Sequence, residues 1–160
     1  MAFKTNVMRI LDKSKADYKV YSYGESDAVS GVEVASALGQ NPKQVFKTLV
    51  TKGKSGNYYV FMIPVAEELD LKKAAASVSE KSVEMIKQKD LLKTTGYIHG
   101  GCSPIGMKKQ FSTTIHSTAK NFDSIIFSAG KIGWQVEMSL ETLQKIVPCN
   151  LAEIIVVQGE

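Results

Sequence analysis

Hydrophobic and polar positions alternate between two periods along this chain. Val7, Ile10 and Leu11 fall at helical spacing behind Thr5 and Asn6, either of which can cap a first helix. Residues 18–23 read as a short strand. Ser30-Gly31-Val32-Glu33 has the form of a capping box, with Ser30 accepting from the amide of residue 33 and Glu33 reaching back. Val32, Ala35 and Leu38 then predict an apolar stripe that Gly39 ends. Asn41-Pro42 predicts one brief turn before residues 45–51, a run rich in β-branched and apolar side chains. The loop Gly53-Lys54-Ser55-Gly56-Asn57 turns the chain into a further strand over residues 58–63.

Asp70 predicts the cap of a helix over residues 71–76, Val83 and Met85 alternate as a short strand, and Leu91-Leu92 sit on a helix closed by Gly96. Beyond a glycine-rich loop come strand-like segments at 112–116, 124–128 and 134–138. A helix follows behind Ser139, with Leu140, Leu143, Ile146 and Val147 on one face, and residues 151–157 predict a last strand. About seven strands thus mix with about five helices. Strands that follow one another directly, beside others separated by helices, indicate an α/β fold of mixed α+β character, its sheet closing toward a barrel with helices outside. No repeat or Pro/Ser-rich linker interrupts the sequence, so residues 1–160 read as one domain.

Composition narrows the class. With 44% hydrophobic and 22% charged residues in 160, the chain can bury a core without disulfide or metal staples, which excludes disordered and collagen-like readings. The longest apolar stretch, residues 58–66, contains Pro64 and is well short of the ~20 residues that cross a bilayer. The start lacks a secretory pattern, so a cytoplasmic location and no membrane association are expected. The net charge is +4, and Arg9 is the only arginine among 20 Lys and Arg residues. Mobile lysine point charges suit a polyanion bound through its phosphates rather than through base edges.

Candidate chemistry is sparse. A strand through residues 45–50 places Lys47 on the same face as Val45 and Leu49, so an ammonium points toward an apolar layer. Such a lysine either has a task or snorkels at a strand end. Gly100-Gly101-Cys102-Ser103-Pro104-Ile105-Gly106 lets backbone amides approach a ligand oxygen closely, and is a candidate oxyanion cradle or a plain loop. Ser128-Ala129-Gly130-Lys131-Ile132-Gly133 reads as a hairpin connection. Gly53-Lys54-Ser55 is no P-loop, because Thr48 stands where that motif needs glycine. His99, His116, Cys102 and Cys149 lack zinc-ligand spacing, so neither metal nor cofactor is expected, and the two thiols are read as free. Cys102 follows His99 by three residues, but that spacing in a tight loop does not imply a thiolate–imidazole pair.

Three segments together carry more: Asn41-Pro42-Lys43-Gln44-Val45-Phe46-Lys47-Thr48-Leu49, Pro64-Val65-Ala66-Glu67-Glu68-Leu69-Asp70-Leu71-Lys72-Lys73, and Thr95-Gly96-Tyr97-Ile98-His99-Gly100-Gly101-Cys102-Ser103-Pro104-Ile105-Gly106-Met107-Lys108-Lys109. Their combination closely resembles the YbaK/EbsC family of free-standing Cys-tRNA(Pro) deacylases, related to the editing domain of bacterial prolyl-tRNA synthetases. The likeness runs along nearly the whole chain.

The resemblance implies a barrel-like mixed sheet and a pocket that hydrolyses cysteine wrongly attached to proline tRNA, with Cys-tRNA(Cys) as a further substrate. It implies that Lys47 is catalytic and that the Gly100, Gly101, Cys102, Ser103 and Pro104 loop holds the aminoacyl carbonyl and terminal adenosine, with Tyr23, Thr48 and Ser128 lining the pocket. Its implied mechanism needs no protein nucleophile, because the substrate's own thiol attacks its ester and leaves as a cyclic thioester. Partners implied are the aminoacylated 3′ end of tRNA and prolyl-tRNA synthetase, with the protein a monomer or weak homodimer. Ser30, where some relatives have an aromatic residue, and Gln135, where some have aspartate, depart from the pattern. Alternatives are a deacylase for another mischarged amino acid such as alanine, and a non-catalytic module that binds a tRNA 3′ end or nucleotide.

Overall fold

The computed structural model describes residues 3–23 and 30–157. Among them lie five α-helices, one 3-10 turn and eight strands. The helices are α1 (Asn6–Lys13), α2 (Gly31–Ala37), α3 (Leu71–Ser77), α4 (Gln88–Thr95) and α5 (Leu140–Ile146). The strands are β1 (Lys19–Ser22), β2 (Phe46–Gly53), β3 (Tyr58–Pro64), β4 (Val83–Met85), β5 (Ser112–His116), β6 (Ile125–Ser128), β7 (Trp134–Met138) and β8 (Cys149–Ala152).

The helix starts follow from local chemistry. Thr5, Ser30, Asp70 and Ser139 each accept a hydrogen bond from a first-turn amide of the helix they precede, satisfying donors that have no partner within the helix. Gly96 closes α4 in the left-handed region at φ 88°, where a β-carbon would be strained. In α2 the buried side chains are Val34 and Ala35, whereas Val32 stays exposed. The helix is therefore rotated relative to the expected Val32–Ala35–Leu38 stripe.

The strands form two sheets of order β1-β7-β6 and β4-β2-β3-β5-β8. The mixed α/β class stands, but the expected barrel does not, since no closed barrel forms among the described residues. Among the described residues, the backbone pairing between the sheets is confined to an isolated parallel bridge between Val45 and Ile126, although their side chains share one core. The larger sheet is itself mixed: β2 pairs antiparallel with β3 and β4, whereas β5 runs parallel to β3 and to β8.

The last strand also differs from expectation. It begins at Cys149, after Pro148, and ends at Ala152. Beyond it the chain bonds to the segment before α3, with Asp70 N–H donating to Ile154 O at 2.8 Å and Val156 N–H donating to Glu68 O at 2.9 Å.

The largest apolar cluster joins α1 (Val7, Met8, Leu11) to Phe46, Ile115, Phe127, Val136 and Leu143. A second, around Phe61, Ile63, Ala74 and Ile154, seats α3 on the five-stranded sheet. No helix among the described residues is long and apolar enough to cross a membrane.

Candidate active site

The register of β2 opens a gap in the larger sheet. Val65 N–H donates to Val45 O and Gly53 N–H to Asn57 O, so the odd-numbered residues of β2 bond to β3. The even-numbered ones turn their backbone groups to the other edge. On that edge Gln44 O accepts from Ile126 N at 3.1 Å and Val50 O accepts from Ile86 N at 3.2 Å. Between these contacts, at Thr48, no neighbouring strand is present among the described residues. The Thr48 hydroxyl oxygen is buried and has no partner there either, an arrangement that costs free energy unless something else supplies the hydrogen bond.

A cavity of about 390 Å³ adjoins this gap. Its wall comprises Tyr23, Ser30 with Gly31, Val32 and Val34 of α2, residues 45–49 of β2, Val65, Leu91, His99, Gly100, Cys102, Phe127, Ser128 and Gln135. The fold thus gathers Tyr23, Lys47, Thr48, Gly100, Cys102 and Ser128 around one space. Gly101, Ser103 and Pro104 are buried and are not among the residues that line it. The Gly101 amide is engaged in a turn, donating to Ile98 O at 3.0 Å, and Ser103 Oγ accepts from Ile105 N at 3.4 Å. The two loop residues that line the cavity, Gly100 and Cys102, have amides that make no hydrogen bond among the described residues. A β-carbon on Gly101 would lie 3.2 Å from the backbone nitrogen of Ile132, so this loop packs tightly on the turn between β6 and β7. That turn is the hairpin expected from its glycines, with Ala129 N–H donating to Trp134 O at 3.0 Å.

Lys47 is half-buried, and its ammonium has neither an ion pair nor a hydrogen bond among the described residues. Burial pushes its ammonium pKa down from 10.5, opposed by the nearby charges of Glu68 and Glu67. Cys102 differs. Its thiol packs among Val50, Val60 and Leu91, and burial pushes its pKa up to about 12 against a weaker opposing hydrogen bond with Thr95. A thiol held protonated is no nucleophile at neutral pH. No cluster of three or more His, Cys, Asp or Glu side chains placed to hold a metal occurs among the described residues.

The sequence did not single out Leu91, His99, Val65 or Phe127 as wall residues, because they come from four separated segments. Both departures from the family pattern, Ser30 and Gln135, do face the cavity. The Ser30 hydroxyl is committed to capping α2, accepting from Glu33 N at 3.1 Å.

Comparison with known proteins places these features in context. The sequence model of an aminoacyl-tRNA editing domain matches residues 25–146. The chain is 47% identical over 152 residues to EbsC of Enterococcus faecalis, covering 94% of this chain and 93% of that one. To EbsC a Cys-tRNA(Pro)/Cys-tRNA(Cys) deacylase activity is provisionally ascribed. A proline–tRNA ligase of Fervidobacterium nodosum is 28% identical over 113 residues, 69% of this chain and 19% of the ligase. Among solved structures, one described provisionally as a trans-editing enzyme for prolyl-tRNA synthetase shares the fold with a TM-score of 0.83 at 19% identity, covering 98% of this chain and all of that one.

Proposed function

Because the chain belongs to the aminoacyl-tRNA editing-domain family, we propose that it acts in trans as a deacylase, removing cysteine from mischarged Cys-tRNA(Pro) and also from Cys-tRNA(Cys). One observation carries the assignment of the site: the half-buried Lys47, its ammonium unpaired among the described residues, lines the same cavity as Gly100 and Cys102, whose amides make no hydrogen bond among those residues.

An aminoacyl ester is already activated, so catalysis chiefly requires positioning and stabilisation of the developing oxyanion. The substrate's thiol sulfur attacks its own ester carbonyl carbon, a C–S bond forms, and negative charge collects on the carbonyl oxygen. Collapse breaks the bond to the ribose oxygen, which takes up the proton given by the thiol, and the products are free tRNA and a cyclic thioester. Lys47 orients the ester and the two loop amides face the oxyanion. Tyr23, Thr48 and Ser128 hold the amino acid and terminal adenosine, with Gly101, Ser103 and Pro104 acting by fixing the loop. Cys102 contributes its amide, not its sulfur. The protein is a single editing domain, cytoplasmic, monomeric or weakly dimeric, and receives charged tRNA from prolyl-tRNA synthetase.

The test is single-turnover release of labelled cysteine from Cys-tRNA(Pro) by wild type and Lys47→Ala at matched folding. Wild-type turnover with a loss of about 10²-fold or more in the variant is expected. Binding of charged tRNA without turnover by wild type would turn the reading to a non-catalytic 3′-end module. Comparable hydrolysis of Ser-tRNA would eliminate the thiol-assisted route.

A further inference from the structure

Gln135 is only 5% exposed, yet it lines the cavity. It stands on β7 between Tyr21 of β1 and Ser128 of β6, so its backbone is held within the three-stranded sheet. Its side-chain oxygen accepts a hydrogen bond from Gln40 Nε2 at 2.8 Å, from the segment that follows α2. Its own amide nitrogen donates to nothing among the described residues. Two residues along the same face of β7, Glu137 has both carboxylate oxygens occupied, by the Tyr21 and Ser124 hydroxyls. This face of β7, opposite the one that Val136 and Met138 turn into the main core, carries one polar side chain that is satisfied and one that holds a donor in reserve.

With its oxygen turned to Gln40, the Gln135 amide has its NH₂ as the group left without a partner. The α-ammonium of an aminoacyl ester has no use for such a donor, whereas the ester carbonyl oxygen, and still more the oxyanion it becomes, accepts it. Building on the deacylase reading above, we propose that Gln135 is a further catalytic residue, donating from Nε2 to the aminoacyl carbonyl oxygen, and that Gln40 is the positioning residue that fixes the polarity of that amide.

The polarity itself can be tested without touching Gln135. Gln40→Glu replaces the donor by an acceptor, so Gln135 must turn its NH₂ toward the new carboxylate and present oxygen to the cavity. Gln40→Lys keeps a donor to the Gln135 oxygen. Single-turnover deacylation of Cys-tRNA(Pro) is expected to fall about 10²-fold for Gln135→Met and Gln135→Glu, the fall lying in kcat rather than KM because the bond strengthens toward the transition state. Gln40→Glu is expected to lose about tenfold or more, while Gln40→Lys stays within about threefold of wild type. Thermal unfolding of each variant separates these effects from loss of fold. Equal activity of Gln40→Glu and Gln40→Lys would overturn the clamp, and Gln135→Glu at or above wild-type turnover would overturn the donor role, pointing instead to an acceptor for the ammonium. In either case wild-type turnover leaves the deacylase reading standing. A wild-type protein that does not deacylate removes that reading and this inference together.

Discussion

A β-carbon on Gly31 would lie 2.5 Å from Val65 Cγ1 and 2.8 Å from Val65 Cβ. Both residues line the cavity, so the first turn of α2 rests directly on the residue that follows β3. Gly31→Ala cannot be relieved by swinging a flexible chain end, because the obstructing atoms lie at the root of a branched side chain. It should destabilise the protein by about 1–3 kcal/mol and weaken substrate binding through displacement of α2. Adding Val65→Ala removes the obstruction, and a double-mutant cycle by denaturant unfolding should show the two changes compensating rather than adding.

Burial at the end of β5 makes the protein acid-sensitive at one histidine. His116 is 1% exposed, and its Nδ1 accepts from Ile154 N at 3.2 Å, which requires that nitrogen to be unprotonated. Burial pushes its pKa below 6.5, against the charges of Glu153 and Glu67, which pull it up, and with that of Lys73, which lowers it further. The unfolded chain therefore binds a proton before the folded one does. Stability is intact above about 6.5 and is lost as pH falls from there through the lower folded-state value. His116→Leu should remove this slope while costing about 1–3 kcal/mol at pH 8, because the Ile154 amide loses its acceptor. Denaturant midpoints of both proteins between pH 5 and 8 would check it. An unchanged slope in the variant would place the acid sensitivity elsewhere.

How much of this was legible in the sequence depended on how local each cause is. Thr5, Ser30, Asp70 and Ser139 were readable as caps because each bond closes within three residues. Ser112–His116 and Trp134–Met138 matched their alternation residue for residue. The closed barrel was not borne out, because strand content does not determine strand neighbours, and backbone pairing beside β2 and β6 stops at the single bridge of Val45 with Ile126 among the described residues. The α2 stripe was misplaced because Val32 faces the cavity rather than the core. Within the glycine loop, sequence could not tell Gly100, whose amide is free among the described residues, from Gly101, whose amide closes a turn. The Gln40–Gln135 contact joins residues 95 apart; the sequence marked Gln135 only as a departure from the family pattern, since the alternation of β7 puts it in the polar phase with Glu137.

Cys102 offers a clean way to separate a protein nucleophile from a substrate one. With its thiol pKa pushed up to about 12 by burial, it should resist iodoacetamide at pH 8 in the folded state and react once the chain is unfolded. Cys102→Ala should keep deacylation within about threefold of wild type while costing about 1 kcal/mol of stability for the lost contacts with Val50 and Leu91. Abolished turnover in a folded Cys102→Ala protein would return the sulfur to the mechanism.

Lys47 should show the opposing demands of stability and function in a single pH series. Its pKa is lowered from 10.5 chiefly by burial, so the folded state bears the cost of a desolvated ammonium at neutral pH, and that cost is relieved as pH rises through the folded-state value toward 10.5. Lys47→Met should therefore be more stable than wild type at pH 7, with the advantage shrinking at alkaline pH, and should be inactive. If the ammonium is the working form, wild-type deacylation rises as the substrate thiol ionises and falls again below pH 10.5 as Lys47 loses its proton. Lys47→Arg keeps its charge across that range. Its rate is expected to be lower overall because the guanidinium is bulkier, but the acid limb should remain and the alkaline limb disappear. An alkaline limb that persists in Lys47→Arg, after subtraction of uncatalysed ester hydrolysis, would assign it to another group and remove the charged-lysine role.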